Sequence, residues 1–192
     1  MPKILKPTLF GNPILREKAR RLTPEEIKSP EIQELITNMR HTLDTKKYGV
    51  GLAAPQVGQG IALIIIGVKP TPSRPEVKPV ELAIFNPEIV KTYGRRAQMW
   101  EGCISFGGGR DFPYVLTSRY RKIRVRYLDE QGKRHEKDFD DFLAHVLQHE
   151  TDHLNGILFV DRVHDSRSWM MVSEYKKRVL PLKQKRAKKR KA

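Results

Sequence analysis

A histidine-rich stretch, His149-Glu150-Thr151-Asp152-His153, lies inside a segment whose apolar residues have the spacing of an amphipathic helix. Those apolar residues are Phe142, Leu143, Val146, Leu147 and Leu154, and Asn155-Gly156 supplies a C-terminal stop. Because residues i and i+4 share one helix face, His149 and His153 point the same way, toward the core. Inward-facing imidazoles and a carboxylate are costly without partners. The stretch therefore predicts one metal ion held by both histidines, with Glu150 in reach of a water on that ion.

A catalytic metal of this kind needs a third protein ligand and an open position, and the sequence offers three candidates. Gly156 fits an extended zincin pattern, but Phe159 stands where that pattern has its last histidine, and Phe cannot ligate. Glu174 has the downstream spacing of a zincin-like metallopeptidase ligand. Cys103, the single cysteine, is flanked by glycine and excludes an internal disulfide framework. A lone cysteine is also commonly a small buried hydrophobe.

The remaining pattern predicts an α+β fold with mostly antiparallel sheets packed around the histidine-bearing helix, with a further helix at the C-terminus. Short strands joined by turns, without regular strand–helix alternation, are the reason for this assignment. The predicted helices cover residues 30–44, the segment ending at Asn155-Gly156, and 167–180, and the predicted strands cover 62–68, 82–86, 88–93, 122–128 and 133–139. We expect one catalytic domain, residues 1–166, followed by a C-terminal helix and basic tail, residues 167–192.

The net charge of +15 is concentrated at the C-terminus. Residues 176–192 contain ten Lys and Arg and no acid, which leaves about +5 for the rest of the chain. Such a run suits a polyanion, and we expect contact with ribosomal RNA or the ribosome. The strand basics, Arg119 among them, are expected on a solvated face. No apolar run approaches the ~18 residues of a membrane helix, and no leader is evident, so we expect a cytoplasmic monomer with no membrane partner.

Three motifs, GVGLAAPQVG, EGCIS and QHETDHLNG, occur in this order, together with NPILREKARRL and GILFVDRV. The set resembles the signature motifs of the peptide deformylase family and covers roughly residues 8–165. The resemblance implies a metal-dependent hydrolase that removes the N-formyl group from the N-terminal methionine of nascent polypeptides and releases formate. Its substrates would be N-formylmethionyl peptides.

By this resemblance, Cys103, His149 and His153 hold one divalent ion, with water or hydroxide in the fourth position. The family typically uses Fe(II), and nickel, cobalt or zinc can substitute. Glu150 would act as general base and then general acid. The Gln56 side chain and the Ile104 backbone N–H would stabilise the oxyanion.

The resemblance also implies how the peptide binds. The substrate would lie as an extra strand along Val50-Gly51, and the Gly102 carbonyl would contact it. The residues expected at the methionine pocket are Phe142, His145 and Val146, and Arg110 is expected to face the substrate backbone. Two positions depart from the family pattern: Phe106-Gly107-Gly108-Gly109 follows the cysteine motif, and Ile104 replaces the usual leucine.

Overall fold

The computed structural model describes residues 1–46, 49–71, 77–107 and 111–181. One antiparallel sheet dominates the fold, with its strands in the order β1-β2-β3-β4-β5, and a short β6 pairs with β4 off this path. The strands are β1 Gly51–Ala53, β2 Leu63–Val68, β3 Val80–Glu101, β4 Pro113–Leu128, β5 Arg134–Asp140 and β6 Met170–Met171. The helices are α1 Pro24–Ile27, α2 Pro30–Asp44, α3 Asp141–Leu154 and α4 Val172–Arg178. The α+β prediction is confirmed.

The two faces of β2 pack against different helices. Ile64 and Ile66 join one core cluster with Val146 and Leu147 of α3. Leu63 and Ile65 face the opposite way and share a second cluster with residues of α2. The run of apolar residues in β2 is therefore continuous because both faces are covered. This arrangement places α3 against the sheet, and every residue from 144 to 154 is buried.

Helix α2 begins and ends where the sequence predicts it. The Ser29 side chain accepts a hydrogen bond from the Ile32 backbone N–H at 3.4 Å, and Pro30 occupies the first turn. Its buried residues are Ile36, Asn38, Met39, Thr42 and Leu43.

Strand β3 corrects the prediction of two short strands separated at Pro87. The chain continues as one strand through a register shift between Phe85 and Glu88. A bulge at this point accommodates a proline, because the shifted ladder does not need its missing N–H. Asn86 has a φ of 50° there, and its side chain is held by two hydrogen bonds with the Leu22 backbone, at 2.9 and 2.7 Å.

The C-terminal helix is shorter than the predicted 167–180. Residues Ser166–Ser168 form a 3-10 turn, β6 follows, and α4 begins only at Val172. Met170 and Met171, which the predicted helix included, pair with β4 instead. Within the described ranges, no helix is long and apolar enough to span a bilayer.

Candidate metal centre

Three potential metal ligands converge between the end of β3 and the last turns of α3. The ligand atoms of Cys103, His149 and His153 all lie within 4.8 Å of one another, and all three residues are buried. The Cys103 Sγ atom is 3.3 Å from His153 Nε2. Typical metal–ligand bonds of about 2.0–2.3 Å place neighbouring ligands at roughly this separation. A thiolate and two imidazoles therefore fit a divalent transition metal, and three protein ligands leave a position open for chemistry.

Glu101, at the end of β3, orients one of these ligands. His149 Nδ1 donates to Glu101 Oε2 at 2.9 Å, which leaves His149 Nε2 for an ion. Burial alone would raise the pKa of Glu101, but hydrogen bonds from His149 and Arg119 outweigh it and hold that pKa well below its usual range. Burial depresses the pKa of His153, which favours the neutral imidazole that ligation requires.

Arg119 of β4 joins this carboxylate to the histidine helix. Its guanidinium binds Glu101 through Nε at 2.7 Å and Nη2 at 3.0 Å, and its Nη1 binds Asp152. Arg162 binds the other side of Asp152, with Nη2 2.7 Å from Oδ1. The expectation of a solvated Arg119 is wrong, since only 4% of the residue is exposed. Alternation along β4 is a weak signal for this burial, because the odd-numbered positions hold the buried Ile123 and Val125 but also the exposed Arg121.

Glu150 lies between the two histidines in sequence and faces β1. A side chain at Gly51 would bring its Cβ within 2.7 Å of Glu150 Cδ, so the carboxylate packs directly on the glycine backbone. Burial is the main cause that raises the pKa of Glu150 to about 7. Among the described residues, Glu150 Oε2 has no hydrogen-bond partner. One oxygen of this buried carboxyl is thus available to a reactant.

Gln56 presents its amide nitrogen to the same point. Its Oε1 accepts from the Ala53 backbone N–H at 2.8 Å, which fixes the amide orientation. Its Nε2 then lies 3.3 Å from Cys103 Sγ and 3.4 Å from Ser105 Oγ. Ile104 follows Cys103 directly and opens a 3-10 turn. The structure thus brings the two predicted oxyanion residues to the cysteine.

Two predicted peptide-binding glycines adjoin this centre, because Gly51 packs on Glu150 and Gly102 directly precedes Cys103. Gly51 begins β1, an edge strand that pairs only with β2 among the described strands, and Val50 lies just before it. Gly102 packs against the rings of Tyr114 and Phe112. Gly108, Gly109 and the predicted Arg110 lie outside the described residues.

The α3 residues of the predicted methionine pocket differ in their surroundings. Val146 is buried in the core cluster beside the sheet, and Phe142 packs against the same cluster. His145 is buried next to the network, with Nε2 3.2 Å from Glu101 Oε1. The carboxylate of Glu101 therefore lies near two histidines of α3 as well as the guanidinium.

The other candidates for a third ligand are occupied elsewhere. Glu174 lies on α4 and pairs with Lys177 at 3.0 Å and Arg178 at 2.8 Å. Phe159 packs beside Cys103 in a small apolar cluster. Neither belongs to the group of converging ligand atoms.

Comparisons with known proteins agree on one family. The family model described as polypeptide deformylase matches residues 4–169. Peptide deformylase 2 of a Nostoc species is 38% identical over 179 residues, which cover 93% of this chain and 96% of that protein. A peptide deformylase of Leptospira biflexa is 39% identical over 169 residues, covering 86% and 89% of the two chains.

Solved structures give the same result. The Met-Ala-Ser-bound class I type b peptide deformylase from Acinetobacter baumannii superposes with a TM-score of 0.77 at 34% identity, covering 85% of this chain and 100% of that chain. The Synechococcus elongatus peptide deformylase in complex with actinonin has a TM-score of 0.73 at 37% identity, with coverage of 85% and 81%.

Proposed function

The chain belongs to the peptide deformylase family, and from this premise we propose which of its residues release formate from N-formylmethionyl peptides. It is a hydrolase of that family with a Cys/His/His site for a divalent metal. One observation carries the assignment of roles. Residues from three separate motifs meet at Cys103 Sγ, with His153 Nε2 and Gln56 Nε2 each 3.3 Å away.

Cys103, His149 and His153 would hold the ion, which we propose to be Fe(II), with nickel, cobalt or zinc able to substitute. When bound, such an ion polarises the formyl carbonyl and lowers the pKa of water to near neutrality. Glu101 keeps His149 in the tautomer whose Nε2 lone pair faces the site.

Glu150 moves the protons. Its free Oε2 takes a proton from the attacking water as the new C–O bond forms at the formyl carbon. The same oxygen then gives that proton to the amine nitrogen as the C–N bond breaks. The products are formate and a peptide with a free amino terminus, so atoms and protons balance.

Gln56 Nε2 and the Ile104 backbone N–H stabilise the negative charge on the formyl oxygen. Because Gln56 Oε1 is tied to the Ala53 backbone, the amide cannot turn away without losing a buried hydrogen bond. A donor held in place before the reaction costs no reorganisation when charge develops.

The peptide would pair with the open edge of β1 at Val50 and Gly51 and contact the Gly102 carbonyl. Phe142, His145 and Val146 would line the pocket for the methionine side chain, and Arg110 would face the peptide backbone. Met-Ala-Ser, the peptide bound to the Acinetobacter baumannii relative, likewise begins with methionine. We also propose a cytoplasmic monomer with a catalytic unit in residues 1–166 and a basic tail that contacts ribosomal RNA.

The deciding experiment measures formate release from formyl-Met-Ala-Ser by the anaerobically purified chain, with metal content determined on the same samples. We expect Glu150→Gln to lose about 10²–10⁴-fold in kcat at unchanged metal content. Glu174→Gln is the matched control and should act like the parent, since its carboxylate pairs with Lys177 and Arg178. A metal-loaded parent that releases no formate would contradict the proposed function.

A further inference from the structure

The segment Met170–Arg178, named here the C-terminal segment, is attached to the strand that follows the cysteine motif. Met171 and Met170 pair with Pro113 and Tyr114 at the start of β4. The Val172 backbone N–H donates to the Phe112 carbonyl at 2.9 Å. The family match ends at residue 169, so these contacts involve residues beyond it.

A second set of contacts fixes the start of α4. Asp111 Oδ1 accepts from the Ser173 backbone N–H at 2.9 Å, and Asp111 Oδ2 accepts from Ser173 Oγ at 2.7 Å. Asp111 directly precedes Phe112 and the start of β4. The C-terminal segment therefore holds the residues that lead into β4.

Tyr175 connects α4 to both sides of the cysteine motif. Its ring centroid lies 5.4 Å from that of Trp100 and 4.9 Å from that of Tyr114, both in edge-to-face geometry. Trp100 is two residues before Gly102 in the chain, and the Tyr114 ring lies against the Gly102 backbone. Edge-to-face pairs stabilise packing beyond the area they bury.

Tyr114 and Phe112 transmit this packing to Gly102. A Cβ at Gly102 would lie 2.5 Å from Tyr114 Cδ1 and 2.7 Å from Phe112 Cε2, so the two rings rest on the glycine backbone. The position of that backbone, and of the carbonyl that would contact the peptide, depends on where the two rings sit.

We infer that Tyr175 is a positioning residue for peptide binding, acting through Tyr114 on the Gly102 backbone. The inference rests on the proposed function, and it makes the C-terminal segment part of the peptide cleft. Loss of the Tyr175 ring lets Tyr114 and Trp100 relax, which misplaces the Gly102 carbonyl. Peptide binding then weakens, while the ligands on α3 and Glu150 stay where they are.

The test compares the parent with Tyr175→Ala, Tyr175→Phe and Glu174→Gln on formyl-Met-Ala-Ser. We expect Tyr175→Ala to raise KM about fivefold to tenfold, which corresponds to losing one hydrogen bond between the peptide and the Gly102 carbonyl. The kcat should stay within about twofold of the parent, and the metal content should not change. Tyr175→Phe keeps the ring and should restore KM. Glu174→Gln, on the same helix, should match the parent. Binding of the product Met-Ala-Ser, measured by calorimetry, should weaken in Tyr175→Ala by the same factor as KM rises.

Asp111→Asn serves as a second variant if Tyr175→Ala does not fold, because Asp111 is exposed and its replacement leaves the aromatic rings intact. We expect a smaller rise in KM in the same direction. A KM equal to that of the parent in the folded variants would overturn the inference, as would a loss of kcat and metal content without a change in KM. A parent that releases no formate would instead contradict the proposed function, and the inference would fall with it.

Discussion

Gly51 leaves room for the carboxylate of Glu150, the proposed general base, because glycine has no side chain. An alanine Cβ there would lie 2.7 and 2.8 Å from Glu150 Cδ and Cγ, so the carboxylate must move. We expect Gly51→Ala to lower kcat about 10–100-fold while the metal content stays the same, because a misplacement of about 1 Å can cost about 100-fold. Steady-state formate release and metal analysis of the same samples measure both quantities.

Gly60→Ala is the matched control for that substitution. A Cβ at Gly60 meets no atom within 4 Å, so the change costs nothing in packing. It should leave kcat unchanged. Equal activity of Gly51→Ala and Gly60→Ala would contradict the role given to the contact between Gly51 and Glu150.

At the level of elements, Arg119 is the side chain that ties β3, β4 and α3 together. Its replacement by methionine leaves the buried Glu101 without an arginine partner and Asp152 with Arg162 alone, and breaking a buried pair costs about 3–5 kcal/mol of unfolding free energy. We expect urea denaturation of Arg119→Met to show this lower free energy of unfolding. The midpoint urea concentration should be lower than that of the parent.

Arg124→Met provides the comparison on the same strand. Arg124 pairs with Asp138 at 2.7 Å, but its side chain is 42% exposed, so water replaces the lost partner. The expected cost is below about 1 kcal/mol. Similar losses in the two variants would show that the buried network does not differ energetically from a surface pair.

Local patterns predicted the elements whose boundaries are set locally. Helix α2 has its cap at Ser29 and its stripe of apolar residues, and the predicted and observed bounds coincide. Strand β2 begins one residue later than predicted. The continuous β3 and the short β6 were not predictable in the same way, because a bulge at Pro87 and a two-residue strand at Met170 depend on partners distant in sequence.

The same limit applies within the site. The helical spacing of His149 and His153 is visible in the sequence, and family resemblance selected Cys103 over Glu174. Spacing alone could not make that choice. The role of Arg119 was missed because burial of a guanidinium depends on carboxylates 18 and 33 residues away, which fold to it only in three dimensions.

For the molecule as a whole, charge is divided between a weakly basic body and a strongly basic C-terminus. Residues 182–192 carry seven Lys and Arg and no acid, which is the basis of the proposed contact with ribosomal RNA. We expect their deletion to weaken co-sedimentation with ribosomes and to reduce the dependence of binding on salt, since fewer counterions are released. Sedimentation over a salt series measures both.

Formate release by the truncated chain is the control. The deletion keeps the C-terminal segment, so KM for formyl-Met-Ala-Ser should not change. Ribosome binding that persists with the same salt dependence would rule out the tail as the contact.

The order in which the site is encoded has a consequence for synthesis of the protein itself. Translation delivers β1 and Gln56 early and Cys103 past the midpoint, but both histidines and Glu150 arrive only with residues 149–153. The Ala19 backbone N–H, near the start of the chain, also waits for the Leu154 carbonyl, its partner at 2.9 Å. Because chains emerge N-terminus first, the sheet can begin to form before the proposed metal ligands and Glu150 have all been synthesised. On the proposed roles, a chain that stops before residue 149 lacks Glu150 and two of the three metal ligands, so we expect it to release no formate.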